Sequence, residues 1–256
     1  MSTDPVALIL ESRRVPRRVL PALGVAAPAD EAAGYALQHQ VAQALGAVPP
    51  FGFKIGATTR LMQEYLALSG PAAGFVPAAS LRPQDAVLRF ADFLNPGVEC
   101  EIGVRLGHDL APGPCTQEAA AAAVAECFAA IEIVENRYED FRALGAPTLI
   151  ADQVFHAAGV IAPAEPGWRD LDLEAVQGRF RIGGVERATG HGRDLLGHPF
   201  AALAWLAGSG AARVFGGLRA GQVVWLGSVT PAIWLSGPCA VEADFGPLGV
   251  ARLRFA

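Results

Sequence analysis

The stretch Pro96-Gly97-Val98-Glu99-Cys100-Glu101-Ile102-Gly103-Val104 has the pattern of a β-strand entered through a Pro-Gly turn. Side chains on a strand alternate between its two faces, so Glu99 and Glu101 point to the same side. Cys100, Ile102 and Val104 point to the other side, into a core. In a pocket, two neighbouring carboxylates repel each other unless they share a proton or a cation. Their oxygens are ligands that Mg²⁺ or Mn²⁺ prefers. A solvated strand face with two surface glutamates explains the same spacing, so both interpretations stay open.

A third carboxylate lies inside another apolar run, Ala130-Ile131-Glu132-Ile133-Val134-Glu135. Burying an unpaired Glu132 within this strand would cost several kcal/mol. Either Glu132 faces a polar pocket or the strand is exposed on that side, and the pattern favours the pocket. Glu135 lies nearer the end of the strand and is interpreted as an ordinary position.

Lysine is almost absent from the chain. Nineteen of the 20 basic side chains are arginine, and the single lysine is Lys54. It lies in the short glycine-containing apolar strand Phe51-Gly52-Phe53-Lys54-Ile55-Gly56-Ala57-Thr58, not on a solvated helix face. A compact ammonium with a tunable pKa is what arginine cannot supply, so Lys54 is a candidate functional residue. Chance survival of one lysine is the alternative.

Length and composition limit the class of protein. The chain has 256 residues and is 52% hydrophobic, enough to bury a sizeable core. We expect one catalytic domain over 1–256, in which 1–50 is a helical N-terminal extension. No apolar run is long enough to span a bilayer, and the N-terminus lacks a secretory pattern, which predicts a cytoplasmic protein.

Charge and cysteine usage exclude further classes of partner. The formal net charge is −5 and no basic stripe suggests nucleic acid. The cluster Arg13, Arg14, Arg17 and Arg18 is interpreted as the solvated end and exit of a first helix. The four cysteines contain no C-x-x-C pair and indicate reduced thiols, not a zinc site or a disulfide framework.

The predicted elements follow one another as helices first and then mostly strands, which is an α+β order. The predicted helices cover 4–14, 30–46, 60–66, 116–129 and 198–207. Residues 69–80 are expected to form a loop with small side chains, and 171–190 a hairpin. The chain has no regular alternation of strand and helix, and no dinucleotide-binding, Walker, zinc-protease or nucleophile-elbow motif.

Taken together and in order, several motifs resemble the 2-keto-4-pentenoate hydratase / 4-oxalocrotonate decarboxylase branch of the fumarylacetoacetate hydrolase superfamily. They are the opening helix at 8–14, Gly52-Phe53-Lys54-Ile55-Gly56-Ala57-Thr58, Pro96-Gly97-Val98-Glu99-Cys100-Glu101, Ile131-Glu132-Ile133-Val134, Ala151-Asp152-Gln153, Leu196-Gly197-His198-Pro199 and Gly227-Ser228-Val229-Thr230. The resemblance implies a mixed, rolled β-sheet core with N-terminal and peripheral helices. It also implies a homo-oligomer.

The same resemblance implies a site. Glu99, Glu101 and Glu132 would bind a divalent cation, Mg²⁺ or Mn²⁺, and Lys54 would be the active-site lysine. Gln153 would position water or a substrate oxygen. Asp152, Ser228 and Thr230 are candidate substrate-binding residues, and a small, hydroxyl-rich strand end such as 227–230 can hold a carboxylate.

The implied reaction is hydration of a 2-hydroxy-2,4-dienoate to a 4-hydroxy-2-oxo acid through an enolate that the metal stabilises. One departure bears on this expectation. Many hydratases carry an aspartate, often followed by Met, where this chain has Ala79. Two alternatives therefore stay open: a decarboxylase or tautomerase of a related oxo acid such as 4-oxalocrotonate, and a catalytically silent relative that binds or assembles with a pathway partner enzyme.

Overall fold

Two β-sheets and seven α-helices make up the part of the chain that the computed structural model describes, residues 4–14, 19, 23 and 26–256. The helices are α1 (Pro5–Ser12), α2 (Glu31–Ala44), α3 (Arg60–Leu66), α4 (Gln117–Ala122), α5 (Gly145–Ala151), α6 (Pro199–Gly208) and α7 (Gly210–Phe215). The strands are β1 (Gly52–Gly56), β2 (Ala72–Val76), β3 (Leu81–Arg82), β4 (Ala86–Leu88), β5 (Pro96–Leu106), β6 (Val124–Glu135), β7 (His156–Ile161), β8 (Gln177–Ile182), β9 (Val185–His191), β10 (Val223–Ser228), β11 (Ile233–Trp234), β12 (Ala240–Asp244) and β13 (Val250–Phe255).

The larger sheet is mixed and curls into a half-barrel. Its strand order is β2-β1-β10-β5-β6-β7-β3, and β11 adds a short pairing to β5. The smaller sheet, β4-β13-β12-β8-β9, packs against β5, β6 and β7. The main hydrophobic core lies between these layers and under the helices. This architecture confirms the predicted α+β class with a rolled, mixed sheet.

Short polar residues start several of the helices where the sequence predicts a start. Asp30 accepts a hydrogen bond from the Ala33 N–H at the beginning of α2. Thr59 accepts one from the Met62 N–H at the beginning of α3. These side chains satisfy backbone donors that the first turn of a helix leaves unpaired.

Two predicted elements differ from the structure. The alanine-rich segment predicted as helix over 116–129 leaves the helix after Ala122 and enters β6 at Val124. Pairing with β5 along the whole strand buries this apolar run and outweighs the helical propensity of alanine. The predicted loop 69–80 contains the strand β2. The backbone at Gln153 packs closely on this strand, since a Cβ at Gly74 would lie 2.7 Å from the Gln153 carbonyl oxygen. The short helix α7 was not predicted.

The N-terminal helices are tied to the larger sheet. The Tyr35 hydroxyl of α2 accepts a hydrogen bond from the Ala73 N–H, and the Gln38 amide donates to the Ala73 carbonyl over 2.9 Å. Treating 1–50 as an extension of one catalytic domain stays a prediction. Arg17 and Arg18 lie outside the described residues. Within the described chain, no helix is both long and apolar enough to cross a membrane.

Candidate active site

The two central strands of the larger sheet bring three carboxylates together. Glu99 on β5 is the direct cross-strand partner of Glu132 on β6, and Glu101 lies two residues further along the same face. Oxygens of all three lie within 4.8 Å of one another. Glu101 and Glu132 are fully buried, whereas Glu99 is partly exposed and lines a cavity. The structure thus brings together the three carboxylates that the sequence singles out.

Burial and mutual repulsion perturb these groups strongly. Burial raises the pKa of Glu99 to about 7, and the charge of Glu132 adds to that rise. Burial and the charges of Glu132 and Glu99 raise the pKa of Glu101 well above its usual range. Burial also pushes the pKa of Glu132 upward, but Lys54 and His156 outweigh it and the pKa is lowered. The cluster therefore carries more negative charge than its protein surroundings offset.

Two oxygens of this cluster have no hydrogen-bond donor within the described part of the chain, Glu101 Oε1 and Glu132 Oε2. The other Glu101 oxygen accepts the Gly227 N–H over 2.9 Å. Gly227 has a φ of 112°, and a Cβ there would lie 2.5 Å from Thr58 Cγ2, so only glycine fits. Buried carboxylate oxygens without donors, in an all-oxygen set, suit a hard divalent cation.

Lys54 faces the cluster from β1. Its side chain is 1% exposed, and Nζ lies 3.4 Å from Glu132 Oε2. Nζ also donates a hydrogen bond to the Val154 carbonyl oxygen over 2.9 Å. The one lysine of the chain therefore lies at the floor of the cavity, beside Glu132 and next to Glu99 in the cavity wall.

The carbonyl that holds Lys54 comes from an unusual backbone segment. Gln153, Val154 and Phe155 have φ values of 57°, 50° and 68°, three consecutive residues in the left-handed region. This conformation is costly for a β-branched residue such as Val154, and such strain concentrates at functional sites. The Gln153 side chain anchors the segment, because its amide donates to the Phe75 carbonyl over 2.5 Å. The segment fixes the position of the ammonium of Lys54.

Gln153 was predicted to position water or a substrate oxygen. It is fully buried, its amide nitrogen is bound to β2, and it is not among the residues that line the cavity. Its Oε1 has no partner within the described part of the chain. The geometry supports an anchoring role for Gln153 more directly than contact with a substrate.

His156 holds Glu132 on its other side and is not among the site residues predicted from the sequence. His156 Nδ1 lies 2.8 Å from Glu132 Oε1, and His156 Nε2 lies 2.8 Å from the Ser80 hydroxyl. That hydroxyl also lies 2.8 Å from the Pro77 carbonyl oxygen. Burial lowers the pKa of His156 against the opposing pull of Glu132. Ala79, the position at which many hydratases have an aspartate, is exposed, and its neighbour Ser80 contacts the site through His156.

Asp152 lies in a separate group of charges. Its carboxylate accepts hydrogen bonds from the guanidinium groups of Arg137, over 2.9 Å, and of Arg13. Arg137 also reaches Glu135 over 3.5 Å. Asp152 is fully buried and is not among the residues that line the cavity, so its role in binding the substrate stays a prediction.

This group corrects two expectations. Arg13 is not a solvated helix end: its side chain is 15% exposed and is directed at Asp152. Glu135 is not an ordinary strand position: it is fully buried and paired with Arg137. Both errors have one cause. Arg13 meets Asp152, and Glu135 meets Arg137, only after the chain has folded.

Ser228 and Thr230 line the cavity near Lys54 and Glu99. The Ser228 hydroxyl accepts a hydrogen bond from the Cys100 N–H over 3.1 Å, and the Thr230 hydroxyl donates to the Pro231 carbonyl over 3.3 Å. Each hydroxyl therefore already has a backbone partner.

The cavity above this floor has a volume of about 540 Å³. Its walls come from the end of β1, the helix α3, the segment around Phe141, residues 154–155 and the stretch 228–234. Most of the lining side chains are apolar or aromatic. The site therefore has a charged floor and an apolar upper part.

Comparisons with known proteins bear directly on this arrangement. The family described as fumarylacetoacetate (FAA) hydrolase C-terminal matches residues 56–255. The chain belongs to this family. The family prediction made from the sequence motifs is thereby confirmed.

Two curated relatives of this family member are hydratases. The 2-keto-4-pentenoate hydratase of Burkholderia vietnamiensis is 31% identical over 204 residues, which cover 80% of this chain and 77% of that protein. The 2-hydroxyhexa-2,4-dienoate hydratase of Comamonas testosteroni is 33% identical over 211 residues, with the same coverage of 80% and 77%. These relatives confirm the prediction of an enzyme of the lyase class.

A solved structure supports the fold over nearly the whole chain. The 4-oxalocrotonate decarboxylase of Pseudomonas putida G7, complexed with magnesium and adipate, has a TM-score of 0.88 to this chain at 21% identity. The match covers 98% of this chain and 97% of that one. At this identity the similarity establishes the fold and does not decide between hydration and decarboxylation.

Proposed function

We propose that this enzyme is a divalent-metal-dependent hydratase that converts a 2-hydroxy-2,4-dienoate into a 4-hydroxy-2-oxo acid. The observation that carries the proposal is the floor of the cavity, where Glu99, Glu101 and Glu132 converge beside the ammonium of Lys54. The names of the hydratase relatives support the choice of reaction.

The three glutamates would hold the cation, Mg²⁺ or Mn²⁺, and two of their oxygens, Glu101 Oε1 and Glu132 Oε2, lack donors in the described chain. When bound, the cation supplies a Lewis acid for the carboxylate end of the substrate. Glu101 stays oriented by the Gly227 N–H, and Glu132 by His156. The protein thus provides a site in which two of the ligands are fixed before the substrate arrives.

Lys54 is the proposed proton-transfer group. The reaction removes the proton of the C2 hydroxyl, adds a proton at C5 to give the 3-en-2-one, and then adds the elements of water across C3 and C4. An ammonium held by the Val154 carbonyl can stabilise the charge that develops at the C2 oxygen and exchange protons with the substrate. Ser228 and Thr230, which line the same cavity, are the proposed partners of the substrate carboxylate.

The charge distribution favours hydration over decarboxylation of 4-oxalocrotonate. That substrate carries a second carboxylate at the far end from the 2-oxo acid. Among the described side chains that line the cavity, Lys54 is the only cation, and it lies at the floor. A second carboxylate in the upper cavity would therefore lose water without gaining a partner.

The test is turnover of 2-hydroxypenta-2,4-dienoate and of 4-oxalocrotonate with Mg²⁺, monitored by absorbance and by release of CO₂. We expect loss of the dienoate without CO₂. CO₂ release from 4-oxalocrotonate as the faster reaction would replace the hydratase with the decarboxylase.

A substitution at Lys54 tests the role of the lysine independently of metal binding. Lys54→Met should reduce kcat by about 100-fold or more and leave Mn²⁺ binding in place, because the three glutamates remain. Retained turnover in this variant would remove Lys54 from the reaction.

A further inference from the structure

We propose that the preferred substrate carries an uncharged apolar or aromatic group, larger than methyl, at the end of the dienoate remote from the carboxylate. This inference rests on the proposed hydratase function and concerns the upper part of the same cavity. It names the substrate class by the chemistry of the walls.

The size of the cavity is the first observation. The unsubstituted 2-hydroxypenta-2,4-dienoate has eight non-hydrogen atoms. Even if each of these atoms took as much room as a water molecule in the liquid, about 30 Å³, the substrate would fill less than half of the cavity of about 540 Å³. Of the three glutamates, Glu99 alone lines this cavity, so a substrate whose carboxylate end binds at the cluster extends its tail among the other lining residues.

The walls of that space are apolar. Leu61, Met62 and Tyr65 project from α3 on one side, and Phe141 and Trp234 face the cavity from other segments. The rings of Tyr65 and Phe141 lie 5.4 Å apart between centroids and form a continuous aromatic surface. Such a surface suits an alkyl or aryl group, which it would contact without leaving a polar atom unpaired.

The same walls discriminate against a charged tail. Apart from Glu99 and Lys54 at the floor, the one charged side chain among the described lining residues is Asp194. Its carboxylate accepts the His191 N–H over 2.7 Å, which holds it in place. Asp194 would repel a tail that ends in a carboxylate, and no cation nearby among the described lining residues would pair with that carboxylate. A neutral tail is not repelled and needs no counter-ion.

The exposure of the mouth gives a second reason for a large tail. Leu61 is 68% exposed, Tyr65 41% and Trp234 38%, and all three line the cavity. A tail that reaches them covers apolar surface that is otherwise in water. Each added methylene is then worth up to about fourfold in kcat/KM, the factor that follows from its transfer out of water.

The experiment uses a series of 2-hydroxydienoates whose terminal carbon bears hydrogen, methyl, propyl, phenyl or a carboxylate. With the full-length wild-type enzyme and Mg²⁺, we expect kcat/KM to be at least about tenfold higher for the propyl or phenyl compound than for the unsubstituted one. The carboxylate-terminated compound should be the poorest substrate.

Two variants locate the effect. Leu61→Ala should reduce the ratio of kcat/KM between the propyl and the unsubstituted compound by about tenfold, because three side-chain carbons are removed from the wall. Leu45→Ala is the matched control: Leu45 is also an exposed leucine, 41% exposed, but does not line the cavity. This control should leave the ratio unchanged.

The outcomes separate the two proposals. Turnover of the unsubstituted dienoate with a kcat/KM that stays flat or falls along the neutral series overturns the tail inference and leaves the hydratase in place. A preference for the carboxylate-terminated compound, or a ratio that Leu61→Ala and Leu45→Ala change equally, also overturns it. Inactivity with every member of the series overturns both proposals.

Discussion

Two buried clusters of charged side chains meet opposite ends of the segment from Asp152, which bonds to Arg137, to His156, which contacts Glu132. They differ in how their charges are matched. The balanced cluster contains two carboxylates and two guanidinium groups, Glu135, Asp152, Arg13 and Arg137. The carboxylate cluster contains three carboxylates and one ammonium, Glu99, Glu101, Glu132 and Lys54. Three of the four residues in each cluster are buried, and Arg13 and Glu99 are partly exposed, so the balance of charge is the main difference.

The titration behaviour follows this balance. Burial pushes the pKa of Asp152 upward, but Arg137 and Arg13 outweigh it and the pKa is lowered. In the other cluster the pKa of Glu101 is raised well above its usual range by burial and by its carboxylate neighbours. A matched group of buried charges maintains structure, whereas an unmatched group favours binding of the missing charge.

The largest effect should come from breaking the balanced cluster. Asp152→Asn leaves two guanidinium groups facing one fewer carboxylate and should lower the free energy of unfolding by about 3–5 kcal/mol. Urea unfolding of the metal-free protein measures it. Asp109→Asn, at an exposed pair with Arg219, is the control and should change little. Equal effects of the two substitutions would show that the buried network is not structural.

Removing a charge from the carboxylate cluster should have the opposite effect on the metal-free protein. Glu101→Gln relieves repulsion, so the free energy of unfolding without metal should stay equal or rise. The affinity for Mn²⁺ should fall by more than about 100-fold, because a ligand is lost. Calorimetric titration with Mn²⁺ measures the affinity. An unchanged affinity would contradict the assignment of Glu101 as a ligand.

His156 joins the carboxylate cluster to Ser80 and should have a smaller effect. His156→Gln removes the group beside Glu132 Oε1 and should weaken Mn²⁺ binding by about 10-fold or more, as for residues that orient a metal ligand. His156→Asn places an amide nitrogen near the position of Nδ1 and should weaken binding less. The comparison of the two dissociation constants is the readout, and the reverse order would argue against orientation of Glu132 by His156.

The smallest expected effect is the change in the free energy of unfolding per pH unit in the metal-free protein. The pKa of Glu99 is about 7 in the folded state and 4.5 for an ordinary glutamate. Between these values the folded state binds more protons at Glu99 than the unfolded state, so Glu99 makes stability fall as pH rises, by at most about 1.4 kcal/mol per pH unit. Burial lowers the pKa of His156, which contributes the opposite slope, so the Glu99 contribution is the difference between the wild type and Glu99→Gln. Saturating Mn²⁺ should abolish this loss, because the cation replaces the proton. The same pH dependence in the wild type and in Glu99→Gln, from about pH 4.5 to 7 without metal, would contradict the raised pKa of Glu99.

Much of the carboxylate cluster is predictable from local sequence. The spacing of Glu99 and Glu101 fixes a common strand face, the apolar surroundings of Glu132 indicate a pocket, and Lys54 is distinguished by being the single lysine. Each of these signals lies within a few residues. Their meeting in one place depends on the register of β5 and β6, which the sequence does not state.

The balanced cluster could not be found in this way. Arg13 and Asp152 are 139 residues apart, and neither position has a local pattern that suggests the other. Arg137 folds back on Glu135 only because the chain turns after β6. The Val154 carbonyl has no side-chain signal at all, since its role comes from three successive left-handed residues. For His156, the signal was present as a histidine inside the apolar run Val154-Phe155-His156-Ala157-Ala158.

The most direct test of the central claim, that the unmatched carboxylates form a divalent cation site, is the binding stoichiometry of Mn²⁺ by electron paramagnetic resonance. The wild-type protein should bind one Mn²⁺ per chain at neutral pH, with thermal unfolding shifted upward as the site fills. Absence of saturable binding, or binding that survives unchanged in Glu101→Gln, would contradict it.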